Sequence, residues 1–261
     1  QSYFMFWDKF EKSNYFLENI IATLNEPRDG RLMMHLVSNP IQDGGQWHMF
    51  INLINKYGVV PQTEMPETFQ SSKSMRMNRM ITRKLREFSK TLRDANKKGA
   101  SLKELRSIKR DMLGIVYRLL TIHLGTPPDI FDWQIRDRKK TFYRFEGLTP
   151  KQFFLNHVQL DLDDYVCLIN CPMSDKIYNE VYTVKYLGNV IGGEDIKYLN
   201  LHSKRLKEAA VASIKDDNPV WFGCDVGKYF HRKLGVMDMD LFDFDLFYGT
   251  DFPMTKADRL E

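Results

Sequence analysis

Two apolar stripes at helical spacing, separated by a short polar break, constrain this chain more than any other feature. Met77, Met80, Ile81, Leu85, Phe88 and Leu92 recur at three- and four-residue steps, which places them along one side of an α-helix. Asn96-Lys97-Lys98-Gly99 ends that stripe. Ser101 and Glu104 then form a capping box, in which each side chain satisfies a backbone donor that the helix start leaves unpaired. Leu105, Ile108, Met112, Ile115, Leu119 and Ile122 continue the apolar side until Gly125 and Pro127-Pro128 stop it. The pattern predicts a helical hairpin with a solvated, basic outer face, its methionines serving as core filler.

The charge on that hairpin is extreme. Between Ser71 and Arg110 there are fourteen Lys and Arg against Glu87, Asp94 and Glu104, a local +11 in a chain whose formal net charge is +4. Such a field attracts phosphates, acidic substrates or an acidic face of a partner, each attraction weakening with salt. A solvated helical face diluted by its tertiary neighbours is the plainer reading.

Outside the hairpin the texture is mixed, which points to an α+β chain. Phe6, Phe10, Phe16, Ile20 and Leu24 predict a helix from Ser2 to Asn25, broken by Asn25-Glu26-Pro27-Arg28-Asp29-Gly30. A second helix is expected from about Gln46 to Tyr57, with Trp47, Phe50, Ile51 and Ile54 on one side and Gly58 after its end. Thr149-Pro150-Lys151-Gln152 reads as cap, N1 proline and capping box of a short helix reaching about His157. Tyr165–Asn170, Val181–Leu187 and a buried Val220–Cys224 read as strands, with a turn at Gly192-Gly193 and a helix from about Lys204 to Lys215.

Composition narrows the function classes. With 261 residues and 43% hydrophobic content the chain can bury a sizeable core. No apolar run approaches the roughly 18 residues of a membrane span, and Gln1-Ser2-Tyr3-Phe4 is not a signal peptide, so neither membrane nor secretion is expected. Three cysteines, Cys167, Cys171 and Cys224, suit a reducing compartment and predict a cytoplasmic protein.

Local chemistry motifs are few. Cys167 and Cys171, with His157 upstream, lack the second ligand pair of a zinc site. Asp238, Asp240, Asp243 and Asp245 alternate with apolar residues but lack the glycine and glutamate of an EF-hand loop, so an extended segment with apolar residues inward is expected. Cys224 and His231 make a poor catalytic pair, because a thiol on a buried strand is held protonated. No serine elbow, phosphate loop or dinucleotide fingerprint occurs. No metal and no cofactor is expected.

Ordered blocks across the chain carry a resemblance. Gln1-Ser2-Tyr3-Phe4-Met5-Phe6-Trp7-Asp8-Lys9, Asn39-Pro40-Ile41-Gln42-Asp43-Gly44-Gly45-Gln46-Trp47, Lys56-Tyr57-Gly58-Val59-Val60-Pro61, Ala212-Ser213-Ile214-Lys215-Asp216, Val220-Trp221-Phe222-Gly223-Cys224-Asp225-Val226-Gly227-Lys228 and Lys256-Ala257-Asp258-Arg259-Leu260 are similar to segments of the bleomycin hydrolase and aminopeptidase C family. These are papain-superfamily cysteine peptidases. The resemblance implies part of a papain-like α+β fold with an inserted helical hook. It divides the chain into residues 1–70, a helical domain with the substrate edge; 71–140, the hook; 141–203, a connecting subdomain; and 204–261, the start of the β domain.

The resemblance also implies roles. Gly44 and Gly45 look like the family's glycines that pair with an extended substrate backbone, where a side chain would block close approach. Gly223 and Cys224 would line a side-chain subsite opposite. The hook would join subunits of a homohexamer, with Arg83, Lys84, Lys97 and Lys98 as contacts to a partner subunit or to nucleic acid. The partner of the site itself would be a peptide or aminoacyl amide. The family's nucleophilic cysteine and oxyanion glutamine are expected before Gln1 and its histidine and asparagine after Glu261, so no catalytic residue is assigned and this stretch alone is expected to be inactive. The competing class is a non-catalytic oligomerisation or nucleic-acid-binding module.

Overall fold

The structure, a computed structural model, describes residues 1–224, 227, 229–238, 240–254 and 258. Asp225, Val226, Lys228, Met239, Lys256, Ala257, Arg259 and Leu260, which belong to segments read above, lie outside the described residues.

Six helices come first: α1 (Ser2–Ala22), α2 (Arg31–Ser38), α3 (Trp47–Tyr57), α4 (Phe69–Ser72), α5 (Met75–Lys97) and α6 (Leu102–Leu124). A hairpin of β1 (Phe131–Arg136) and β2 (Phe142–Leu148) follows, then α7 (Pro150–Phe153), which runs into one π-helical turn at Phe154–Val158. Next come β3 (Leu168–Ile169), β4 (Val181–Tyr182), β5 (Tyr198–Asn200) and α8 (Ser203–Lys215), and last β6 (Phe230–His231), β7 (Val236–Met237) and α9 (Phe244–Tyr248). The chain forms two compact units, Gln1–Tyr165 with Thr183–Ile196, and Val166–Tyr182 with Lys197–Glu261.

In the first unit α1 packs against both helices of the expected hairpin and against α3. That accounts for its apolar residues on several sides, because a helix covered on more than one side cannot keep a polar face. Phe6, Leu17 and Ile20 share one core with Met77, Ile81, Leu85 and Leu92 of α5 and with Val116, Leu120 and Leu124 of α6. The Ser101–Glu104 capping box forms as read: Glu104 Oε2 accepts from Ser101 N at 2.7 Å, and Ser101 Oγ accepts from Glu104 N at 3.3 Å.

The α6 stripe needs a correction. Leu105 and Met112 are buried as expected, but Ile115 and Ile122 face outward, and burial continues through Val116, Leu120 and Leu124. The heptad-like choice of positions lags a straight helix of 3.6 residues per turn, so the true core side rotates away from it. On α5 only Met80 leaves the expected stripe, at 47% exposure.

Two further elements of the first unit have local causes. Gly58 ends α3 with φ 71° and ψ −158°, a region almost restricted to glycine, and Val59 N donates to Pro150 O at 3.2 Å. The segment Thr183–Ile196 is tied to α3: Asn52 Nδ2 donates to Glu194 O at 2.9 Å and Asn189 Nδ2 to Met49 O at 2.8 Å. The turn expected at Gly192-Gly193 is present there. The β1–β2 hairpin and α2 were not foreseen.

In the second unit β5 is central, parallel to β3 and antiparallel to β4. Both expected strands shrink to two residues, each ending where its pairing with β5 ends. Asn200 is fully buried, and its side chain accepts from Cys171 N at 2.8 Å and donates to Cys171 O and Lys176 O, each at 3.0 Å. Helix α8 matches the expected span within one residue. The buried strand expected at Val220–Cys224 is not among the described strands, and these residues are exposed. The acidic alternating stretch is likewise not an extended segment with a buried side. Asp243 Oδ1 accepts from Leu246 N at 2.9 Å and caps α9, which leaves Leu246 and Phe247 outside.

Candidate functional site

Gly44 and Gly45 sit on an exposed stretch, in neither helix nor strand, between α2 and α3. A Cβ placed on either glycine would meet nothing within 4 Å, so glycine is not demanded there by the chain's own packing. The two residues differ in one respect. The carbonyl of Gly44 is engaged, accepting from Lys12 Nζ at 2.7 Å, whereas Gly45 N–H and C=O have no partner among the described residues. Gly45 therefore offers a donor and an acceptor on an open edge, which is what an added extended peptide pairs with.

The loop before that edge is held by α1. Lys9 Nζ donates to Ile41 O at 3.2 Å and Gln42 O at 2.9 Å, and it pairs with Asp43 Oδ1 at 2.7 Å. Lys12 Nζ reaches Gln42 O at 2.9 Å and Asp8 Oδ2 at 2.8 Å as well as Gly44. Both lysines are interior residues, 1% and 6% exposed. Buried ammonium groups persist only when carbonyls and carboxylates replace their water, and here each has both. Burial lowers the Lys12 pKa, with Asp8 opposing it.

Asp43 joins this loop to α5. Its Oδ2 accepts from Ser74 Oγ at 2.7 Å and its Oδ1 from Asn78 Nδ2 at 2.8 Å. Partial burial would raise its pKa, but the hydrogen bonds from Lys9, Ser74 and Asn78 outweigh that and hold the carboxyl at about 2. The sequence reading missed Lys9, Lys12 and Asp43. The available signal was two lysines three positions apart within an otherwise aromatic helix, where a buried cation needs a purpose.

Gly223 and Cys224 belong to the second unit and are exposed there, with nothing within 4 Å of a Cβ at Gly223. The argument that burial keeps the Cys224 thiol protonated therefore does not hold. Cys167, Cys171 and Cys224 are not joined in disulfides. Among the described residues no group of three or more His, Cys, Asp and Glu could hold a metal ion. His157 instead packs against aromatic rings, 4.4 Å from Phe145 and 5.1 Å from Trp133 by centroid.

On the hairpin, Arg83, Lys97 and Lys98 are exposed, while Lys84 is half-buried and pairs with Glu87 at 2.7 Å. Several other cations are already used. Arg86 donates to Val37 O and Ser38 O, and Arg106 and Lys109 bind Glu18 of α1. The uniform basic face is thus partly consumed by tertiary contacts. Beside these contacts lies a cavity of about 250 Å³ whose charged lining is Arg28, Lys97, the engaged Arg86 and Arg93, and the Lys90–Asp94 pair.

Comparison with known proteins identifies the family: its sequence profile, described as the Peptidase C1-like family, matches residues 1–261. The chain belongs to that family. It is 48% identical over 261 residues to an aminopeptidase C of Listeria innocua, covering 100% of this chain and 58% of that protein. Human bleomycin hydrolase is 42% identical over 265 residues, with the same coverage of each chain. The crystal structure of PepW from Lactobacillus rhamnosis HN001 superimposes with a TM-score of 0.95 at 46% identity, again over 100% of this chain and 58% of that one. The papain-like α+β fold expected from the resemblance is therefore the fold of this chain. As a Peptidase C1-like chain it spans 58% of the length of these relatives.

Proposed function

We propose that this chain forms part of a bleomycin hydrolase-like cysteine aminopeptidase, which cleaves N-terminal aminoacyl amide bonds of peptides and related amides through a Cys-His-Asn triad lying outside the chain. A thiolate activated by the histidine attacks the amide carbonyl, and a glutamine and a backbone N–H stabilise the oxyanion. The role of this portion is to hold the substrate backbone. The observation that carries the reading is Gly45, whose N–H and C=O are unpaired on an open edge in a chain matched from end to end by relatives named aminopeptidase C and bleomycin hydrolase. Gly44 and Gly45 form the backbone edge, and Gly223 and Cys224 line a side-chain subsite.

The test is turnover of an aminoacyl-fluorophore amide by the full-length protein. Turnover abolished by a thiol alkylator and weakened by Gly45→Val supports the reading. Absent turnover, with salt-sensitive binding to nucleic acid, would favour a non-catalytic module instead.

The same proposal gives the 71–140 hairpin an assembly role within a cytoplasmic homohexamer, between a helical portion at 1–70 and the segments at 141–203 and 204–261. Exposed Met75, Met80, Leu102 and Ile122 support it, because apolar side chains of this number on one hairpin suit a covered surface. Arg83, Lys84, Lys97 and Lys98 are the contacts, to an acidic face of a partner subunit or to nucleic acid. Three cysteines outside disulfides suit a reducing compartment. Among the described residues no helix is long and apolar enough to cross a membrane. Light scattering on the full-length protein, with and without Arg83→Glu and Lys97→Glu, tests the assembly; a monomer at every concentration would refute it.

A further inference from the structure

We propose that Lys9, Lys12 and Asp43 are positioning residues, which set the orientation of the Gly45 edge and so determine how tightly a substrate backbone is held. The inference rests on the reading of Gly45 as a substrate edge. It goes beyond that reading by assigning a role to residues of α1 and of the loop that touch no substrate themselves.

The argument begins with how the edge is built. An exposed edge that binds a backbone must present N–H and C=O in a fixed direction, because a misdirected hydrogen bond weakens steeply with angle. Gly44 and Gly45 cannot supply that rigidity, since glycine has the widest conformational freedom of any residue. The fixing comes from outside the loop. Two ammonium groups, one helical turn apart on α1, take the carbonyls of Ile41, Gln42 and Gly44. The last of these belongs to the peptide unit whose N–H is that of Gly45. Holding the Gly44 carbonyl at 2.7 Å thus restricts how that peptide unit, and with it Gly45 N–H, can turn.

Asp43 supplies the second side of the fixture. Lys9 alone would leave the loop free to swing about its ammonium, which is a point charge without directional preference. Asp43 meets Lys9 through one oxygen and shares its two oxygens with Ser74 and Asn78, at the first turn of α5. An anion there is favourable at a helix N-terminus. The edge is therefore clamped between α1 and α5, with two lysines balanced by Asp8 and Asp43. A loop closed only for packing could be closed with apolar side chains, as Ile41 already does at 1% exposure. Two interior lysines directed at three carbonyls of one loop exceed that need.

The experiment uses the full-length enzyme and an aminoacyl-fluorophore amide, comparing Asp43→Asn, Lys12→Met and Gly45→Val, each confirmed as folded by its melting transition. Asp43→Asn is near-isosteric and its side chain is 54% exposed, so it keeps the test open if Lys12→Met does not fold. The expected result is that both clamp variants raise KM about 3- to 10-fold with kcat within twofold, and that Gly45→Val raises KM at least as much. If Gly45→Val raises KM while Asp43→Asn leaves it unchanged, the positioning role is overturned and the edge reading stands. A loss confined to kcat also overturns it. If Gly45→Val has no effect, the edge reading fails and the inference with it.

Discussion

Glu18 of α1 and Lys109 of α6 meet at 2.5 Å, and Arg106 of the same helix reaches the other oxygen of that carboxylate at 2.5 Å. This three-charge contact joins the two helices outside their shared apolar core. Burial would raise the Glu18 pKa, but the hydrogen bonds from Lys109 and Arg106 outweigh it and hold the carboxyl below the usual glutamate range. A carboxyl depressed on folding stabilises the protein above its unfolded pKa, near 4.3, and that contribution is lost as pH falls through the folded value. Glu18→Gln is therefore expected to lower stability by about 1 kcal/mol near pH 7. Denaturant midpoints measured across pH should show the gap to wild type closing on acidification below about pH 4.

Tyr57 is a second point of leverage. Its hydroxyl donates to Glu11 Oε1, Lys56 Nζ reaches the same oxygen at 2.8 Å, and Glu11 is 1% exposed. Burial, and then the Glu11 carboxylate, push the Tyr57 pKa well above its ordinary value. Tyr57→Phe keeps the ring stacked on Trp7 at 3.7 Å but leaves a buried carboxylate one donor short. The expected cost is about 1–3 kcal/mol, read as a lowered denaturant midpoint with unchanged m-value.

Gly58 admits no side chain for two independent reasons. Its φ of 71° and ψ of −158° suit glycine alone, and an added Cβ would lie 2.3 Å from the carbonyl carbon of Pro150. Relief requires moving the start of α7 away from the end of α3. Gly58→Ala is expected to destabilise by about 3 kcal/mol or more, seen as a large fall in Tm or as insoluble protein.

A paired comparison on α6 tests which side of that helix is inside. Leu120 is fully buried and Ile122 is 71% exposed, though both are apolar and only two positions apart. Leu120→Ala should cost about 2–5 kcal/mol and Ile122→Ala less than about 0.5 kcal/mol. Equal effects would contradict the assigned phase.

These residues also mark where the sequence was readable. The hairpin was visible because its punctuation is local: Ser101, Glu104 and Gly125 act on backbone groups within a few residues. The phase of α6 was not, since a drift of a few degrees per residue is invisible until a partner helix fixes which residues are covered. Gly44 and Gly45 could be named from the resemblance, but their different engagement depends on Lys12, more than 30 residues away in sequence. Strand lengths at 165–170 and 181–187 failed for a related reason, because strands end where pairing ends, and pairing with β5 is non-local. The exposed Val220–Cys224 segment shows that apolar composition alone does not make a strand.

Asn200 carries a consequence for how the protein is made. Its side chain fixes the backbone at Cys171, 29 positions earlier, and at Lys176, 24 positions earlier. A ribosome delivers Cys171 first, so the 171–177 loop emerges before the side chain that holds its backbone. The intervening Thr183–Ile196 stretch, which binds to α3, is delivered next. Only when residue 200 arrives can the loop close. A pause placed between codons 177 and 200 would therefore prolong the life of an open, protease-sensitive nascent chain.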